Sequence, residues 1–197
     1  MKSKLKKCRV KGCENTFTPY NSLVKWCSPN CGVILAKEAQ EKARKAEVKA
    51  FNRETRERKQ KAKKLSEWRS EAQAAFNRYI RARDIKAFRD KCMEPECISC
   101  GTTNPLIQYC AGHFYTRAAR PELAFHEDNV HLQCNNYCNQ QLSANIEAYR
   151  PRLIEKIGQE RFDALSTYHA PKKYTIEDYK KMKVKYSRMA KEIIDAT

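Results

Sequence analysis

Cys97-Ile-Ser-Cys100, Ala111-Gly112-His113-Phe114, Asn129-Val-His131-Leu-Gln-Cys134 and Cys138-Asn139 follow one another within a short stretch, and two cysteine pairs there bracket two histidines. Four thiolates at two short spacings supply the ligand set of one tetrahedral Zn²⁺. A metal bound at Cys97, Cys100, Cys134 and Cys138 ties two distant points of the chain together, so the histidines between them are placed rather than incidental. Residues 107–115 are apolar-rich and read as a strand, residues 129–133 as its returning partner, and Asn139 as the start of a helix directly after the last thiolate. Strand, strand and helix would bring His113, Asn129 and Asn139 together.

Toward the N-terminus the pattern repeats with Cys8, Cys13, Cys27 and Cys31. Phe17, Pro19 and Trp26 are too few apolar residues for a core that stands alone, so metal must supply the folding free energy. Cys27-Ser-Pro-Asn-Cys31 opening onto a helix looks like a treble-clef ending. Eight of the ten cysteines thus form two sets for two structural Zn²⁺ ions. Cys92 and Cys110 are left as ordinary reduced thiols.

Between the two sets, residues 33–94 contain neither Gly nor Pro, and nothing in the composition stops a helix there. Glu38/Lys42, Glu41/Lys45, Glu54/Arg58 and Glu57/Lys61 are i,i+4 pairs with the acid leading. No leucine heptad accompanies them, which argues against a coiled coil. From Lys37 to Lys64 twelve Lys and Arg face five Glu. Such a helix is either a solvated spacer or one that tracks a phosphate backbone, with Lys42, Lys45, Arg53, Arg56, Lys61 and Lys64 as the contacts. After Ser66, Trp68, Ala72, Ala75, Phe76, Tyr79 and Ile80 form an apolar face that must pack on a domain. Arg78, Arg81 and Arg83 lie mostly off that face, to line a DNA surface or stay wet.

Beyond Asn139 come a helix through Ile146, the segment 151–157 ended by Gly158, a short helix near 161–166, and a last helix. The last is opened by Thr175 with Asp178 three residues on, and carries Tyr179, Met182, Tyr186, Met189 and Ile193 along one side as core. The predicted architecture is α+β and mainly helical. It has an N-terminal four-Cys zinc finger (1–35), a basic helical linker (36–65) and a zinc-stabilised ββα-metal core with flanking helices (66–197).

A formal charge of +17 points to a polyanionic partner, since clustered Lys and Arg gain affinity by displacing counterions from phosphates. No run of about 18 apolar residues is present, and Met1-Lys-Ser-Lys-Leu-Lys-Lys lacks the apolar segment of a signal peptide. A soluble, cytoplasmic chain with reduced cysteines, and DNA rather than a membrane as the partner, is therefore expected.

Residue by residue, the stretch from Cys97 to Asn145 resembles the HNH, or His-Me finger, endonucleases. His113 stands where the first histidine falls, Asn129 at the middle asparagine, and Asn139 where many members have the last histidine. The resemblance implies that His113 activates water, that Asn129 holds the active-site loop or the histidine ring, and that Asn139 binds a catalytic Mg²⁺ or Mn²⁺. Many such proteins have an acidic metal ligand just before the first histidine. Here that residue is Gly112, so either His131 or Asp128 completes the site, His131 preferred because it shares a strand face with Asn129, or the metal is held loosely by Asn139, phosphate and water. The other reading of His131 is a structural histidine beside the zinc; His126 and His169 read as surface residues.

The order of parts over nearly the whole chain is similar to the lambdoid-phage recombination proteins called NinG or Rap. It is carried by Cys-Ile-Ser-Cys-Gly101, Ala-Gly-His113, Asn129-Val-His131-x-Gln-Cys134, Cys138-Asn139-Gln140, Leu142-Ser143-Ala144-Asn145, Tyr149-Arg150 and Ile157-Gly158-Gln159. That resemblance implies a phage-encoded endonuclease selective for branched recombination intermediates such as Holliday junctions and D-loops, acting as a homodimer in the bacterial host. The alternatives are a non-enzymatic zinc protein that binds nucleic acid as a recombination accessory, and a zinc-knuckle adaptor whose basic helix contacts a protein.

Overall fold

A computed structural model describes residues 4–167 and 170–196 and divides the chain into two compact units, 1–63 and 64–197. His169 lies outside the described residues. The chain is mainly helical, with two short antiparallel strand pairs.

In the first unit, strands β1 (Lys6–Lys7) and β2 (Thr16–Phe17) pair with Lys6 opposite Phe17. Gly12, at φ +86°, turns the chain just before Cys13. Helix α1 (Pro29–Ala62) starts where the sequence marks it: Ser28 caps it, its Oγ accepting from Cys31 N at 3.3 Å, and Pro29 takes the first helical turn. No described residue of α1 is buried. Glu41 pairs with Arg44 and Lys45, and Glu54 with Arg58, whereas Glu57 turns back to Arg53 rather than on to Lys61.

The uninterrupted helix expected over 33–94 does not form. It breaks at Lys63 and Lys64, both extended, and α2 (Leu65–Arg89) begins anew. Glu67 makes the break without Gly or Pro, because its carboxylate accepts from Lys64 N at 2.8 Å and so caps a new N-terminus. Lys59 and Lys61 end α1 while Glu67 opens α2, and both placements suit the helix dipoles.

The second unit is built on α2, whose buried face carries Trp68, Ala72, Phe76, Tyr79 and Ile80. Strands β3 (Tyr109–His113) and β4 (Val130–Cys134) pair antiparallel, with Gly112 opposite His131 and His113 opposite Val130. After them come α3 (Ile146–Ile157), α4 (Gln159–Ser166) and α5 (Ile176–Asp195), the last opened by the expected box between Thr175 and Asp178. Helix α5 lies parallel to α2: Lys180 and Lys183 cover Trp68, Lys183 pairs with Glu71 at 2.9 Å, and Tyr186 packs against Phe76 and Tyr79. The aromatic side of α5 is therefore core.

No helix starts at Asn139. Residues 135–141 form a single π-helical turn, and Ser143, Ala144 and Asn145 then all take positive φ before α3 begins. Three consecutive non-glycine residues there cost on the order of 1 kcal/mol each. The turn aims the Ala144 carbonyl at Ser99 Oγ and Gln133 Nε2, which offsets that strain with buried hydrogen bonds.

A two-stranded sheet leaves edges unpaired. On β4 side chains take the place of a third strand: Asp84 Oδ2 accepts from Leu132 N at 2.8 Å, and Arg83 donates to Val130 O at 3.0 Å. Asp84 is 1% exposed and also meets Arg83 at 2.9 Å and Lys156 at 3.2 Å. Burial alone would raise its pKa, but the two cations outweigh burial and hold the carboxyl below its ordinary value. Replacing Asp84 with Ala strands two cations and a strand amide, and is expected to cost about 3–5 kcal/mol in urea unfolding of the zinc-loaded chain. A loss below about 1 kcal/mol would mean that water satisfies those groups.

Candidate zinc centres and histidine site

The cysteines expected to bind metal converge. Among the described residues, Cys8, Cys13, Cys27 and Cys31 form one group and Cys97, Cys100, Cys134 and Cys138 another, each with all sulfurs within 4.8 Å. Sulfur atoms lie 3.6–3.9 Å apart in the first group, and those of Cys100 and Cys134 are 3.9 Å apart in the second. Tetrahedral zinc with bonds of about 2.3 Å requires about 3.8 Å between sulfurs, far beyond a disulfide, so the donor sets fit the ion.

Each centre is built by a knuckle and a helical turn. Gly101, at φ +70°, closes the first knuckle by donating to Cys97 O at 2.9 Å, and a Cβ there would strike Arg152. Cys134 and Cys138 are the two ends of one π-turn step, with Cys138 N donating to Cys134 Sγ at 3.3 Å. Asn145 Nδ2 reaches Cys138 Sγ at 3.5 Å, a donor suited to stabilising thiolate charge. Cys100 is exposed while the other three are buried. Cys92 and Cys110 lie outside both groups.

His113 ends β3, half-buried, with Nε2 3.2 Å from Ala124 O. A carbonyl only accepts, so Nε2 carries the proton and Nδ1 keeps the lone pair. Gln73 on α2 donates to the same carbonyl at 3.1 Å and steadies it. Burial pushes the His113 pKa down to about 4, with Arg117 adding to the effect. Arg117 escaped the sequence reading, which had no means of folding that loop back toward the histidine.

Asn129 is fully buried and clamps the loop that follows β3. Its Oδ1 accepts from Tyr115 N at 2.7 Å, and its Nδ2 donates to Tyr115 O and Leu123 O at 3.0 and 3.1 Å. Asn139 is half-buried in the turn that leaves β4 beyond the Cys134–Tyr109 pair, whereas His113 pairs with Val130 at the other end of the sheet, so the register does not bring the two side chains together. Asn139 Nδ2 faces Asn135 Oδ1 at 3.4 Å, and its own Oδ1 takes no hydrogen bond among the described residues.

His131 does not join His113. Pairing with Gly112 puts it on the opposite face of the sheet, because neighbouring strand positions alternate. There it is 2% exposed, with Nδ1 3.2 Å from Tyr149 Oη. It is a core histidine on the face away from His113. Asp128 is held by the Arg161 guanidinium. Gly112 has no room for an acid, since a Cβ would lie 2.1 Å from Gln133 Oε1. Neither metal-competent group among the described residues contains a histidine or a carboxylate.

Among the expected DNA contacts, Lys45 and Arg53 are engaged with Glu41 and Glu57, whereas Lys42, Arg56 and Lys61 make no ion pair among the described residues. Lys64 serves as the cap of α2. Arg83 is taken up by Asp84, Glu127 and Val130, so it does not belong to an open surface. Asp84 was missed by sequence reading. Its signal was an acid at position 84 in the apolar series 68, 72, 76, 80.

Two four-cysteine groups that could each hold a zinc ion, one in a small N-terminal unit and one in a mainly helical second unit, and a histidine at a strand end define the chain. Residues 1–195 match the family model described as Bacteriophage Lambda NinG protein, and the chain belongs to the NinG family. It is 40% identical to Protein ninG of Escherichia phage lambda, over 95% of this chain and 93% of the relative. Protein ninG of Salmonella phage P22 is 39% identical over 99% and 97%, and that of Escherichia phage 933W is 40% identical over 95% and 93%. No solved structure matches. No helix among the described residues is long and apolar enough to cross a membrane.

The purified chain is expected to carry two zinc ions by elemental analysis, and Cys13→Ser or Cys100→Ser one each. A single zinc in the wild type would remove one centre. Burial also pushes the His131 pKa down, to about 3. Both folded-state histidine values lie below the unfolded value of about 6.5, so the unfolded chain binds more protons in the acidic range. Stability should therefore be full above about pH 6.5 and fall as pH drops toward 4, by roughly 2 kcal/mol per histidine between pH 7 and 5. Urea unfolding with excess zinc checks this, and a His131→Gln variant should show a shallower decline.

Proposed function

We propose that the chain is a structure-selective DNA endonuclease acting on branched recombination intermediates, Holliday junctions and D-loops among them, by phosphodiester hydrolysis on an HNH-like core. The observation that carries this reading is His113: a neutral imidazole at a strand end, its Nε2 held by Ala124 O and its pKa pushed down by burial to about 4. A general base must be unprotonated at the working pH, and His113 meets that condition. Asn129, by tying residues 115 and 123 together, keeps the loop beside the histidine in shape. Arg117, whose charge acts on His113, is the cation assigned to the phosphate.

Mg²⁺ or Mn²⁺ would supply charge neutralisation at the phosphodiester, and Asn139, with an uncommitted amide oxygen, is the residue assigned to hold it. Magnesium commonly retains waters and binds through few protein ligands plus substrate phosphates. With Gly112 closed by Gln133 and Asp128 held by Arg161, the chain by itself offers no cage of carboxylates, so the ion is recruited together with DNA.

The basic α1 is read as sequence-independent affinity for phosphates through Lys42, Lys45, Arg53, Arg56 and Lys61, with branch selectivity from DNA shape. Two copies related by a two-fold axis would meet opposing strands of a junction. The blocked position at Gly112 favours a second reading, a recombination accessory that binds nucleic acid without cutting it.

One experiment separates the two. His113→Ala should lower nicking of a synthetic four-way junction in Mg²⁺ by about 100-fold or more while binding is retained. Because the His113 pKa is already near 4, kcat/KM should lack a limb near pH 6.5. Equal cleavage by both proteins would reject His113 as the base, and no cleavage by either across several branched substrates would favour the accessory.

A further inference from the structure

The first unit holds a groove of about 630 Å³ that the zinc centre and the nuclease reading leave unused. Phe17, Pro19, Tyr20, Val24, Trp26 and Val33 line it. Its size lies in the range of small-ligand sites. Tyr20 is 83% exposed on its wall, an unusual position for a large ring in a unit with so little core. The Trp26 indole rests against Gly32, at whose α-carbon an added Cβ would lie 3.1 Å from the ring. The helix start thus fixes the indole in place.

The finger that carries the groove is strongly basic. Lys6 pairs directly with Phe17 and therefore projects to the same face of the strand pair. Lys4, Lys7, Arg9, Lys11 and Lys25 belong to the same segment, against Glu14 alone between residues 4 and 28. Aromatic rings with an anionic partner's countercharge around them are what an unpaired nucleobase on a phosphate chain requires: a π-face to stack on and cations for the backbone. An acidic or apolar peptide would use one half of that chemistry, and duplex DNA keeps its bases stacked and would use only the lysines.

We propose that the finger is a single-stranded DNA site in which unpaired bases stack on Tyr20 and Trp26 while Lys6 and the other basic residues of the finger meet the phosphates. The proposal rests on the reading of the chain as a DNA-acting protein and assigns the finger the recognition of unpaired nucleotides at a branch. It concerns binding, so it stands or falls separately from cleavage by His113.

The test uses the full zinc-loaded His113→Ala chain without Mg²⁺, titrated with labelled oligo(dT) and with a blunt duplex of equal length. Tyr20→Ala should weaken oligo(dT) binding about tenfold or more and duplex binding less than twofold, and Tyr20→Phe should restore the oligo(dT) value. Trp26 fluorescence, read in a Trp68→Phe background, should be quenched by oligo(dT) and not by duplex. Zinc content of two per chain in each variant verifies that the finger is folded. Equal losses for both DNA forms, or unchanged oligo(dT) affinity in Tyr20→Ala, would overturn the stacking site. Quenching of Trp26 by an acidic peptide that displaces oligo(dT) without dependence on Tyr20 would overturn it in favour of a peptide groove.

Discussion

The second unit depends on sulfur held at the end of β4. A two-stranded sheet is marginal in water, and β3 and β4 have no third strand to share their edges. Cys134 and Cys138 leave that sheet through one tight turn, and Cys97 and Cys100 come to meet them from a segment anchored to β4 by the hydrogen bond from Ile98 N to Leu132 O. The metal centre and the Arg83–Asp84 edge cap act at adjacent points of the same strand. One fixes where β4 ends, and the other replaces the neighbour it lacks. With β4 fixed, the register with β3 follows, and with it the position of His113.

Register also sorts the two histidines. A shift of one residue would bring His113 and His131 to the same face and put Gly112 beside Val130. Gln133 opposes that slip because its amide fills the space over Gly112 and is tied to Ser99 and Ala144. Glycine at 112 is thus a packing requirement, whatever chemistry the sheet supports. The same amide fixes the left-handed turn before α3, so the zinc ligands, the turn and the sheet register are parts of one closed set of contacts.

Much of this was legible before any coordinates. The cysteine pairs announced both centres, Ser28-Pro29 and the box from Thr175 to Asp178 marked helix starts, and the stripes on α2 and α5 named the core. What stayed hidden was decided by partners remote in sequence or by backbone states that composition does not report. Asp84 looks like an error in an apolar stripe until Leu132 and Lys156 are beside it. Ser143-Ala144-Asn145 gives no glycine to betray positive φ. The break at Lys63 depends on a glutamate acting as a cap without the usual serine or threonine partner. The burial of His131 was hidden because alternation along one strand does not say which face the helices cover.

The parallel course of α2 and α5 has a consequence for synthesis. Glu71 and Lys183 are 112 residues apart, yet they pair across the core that Trp68, Phe76 and Tyr186 fill. Loops of that span close slowly and contribute little until both ends exist. During translation the finger can take zinc and the basic helix can form while α2 still exposes its aromatic face. The packing of α5 on α2 therefore closes last, so a nascent chain has its cysteine groups assembled well before its aromatic core is covered.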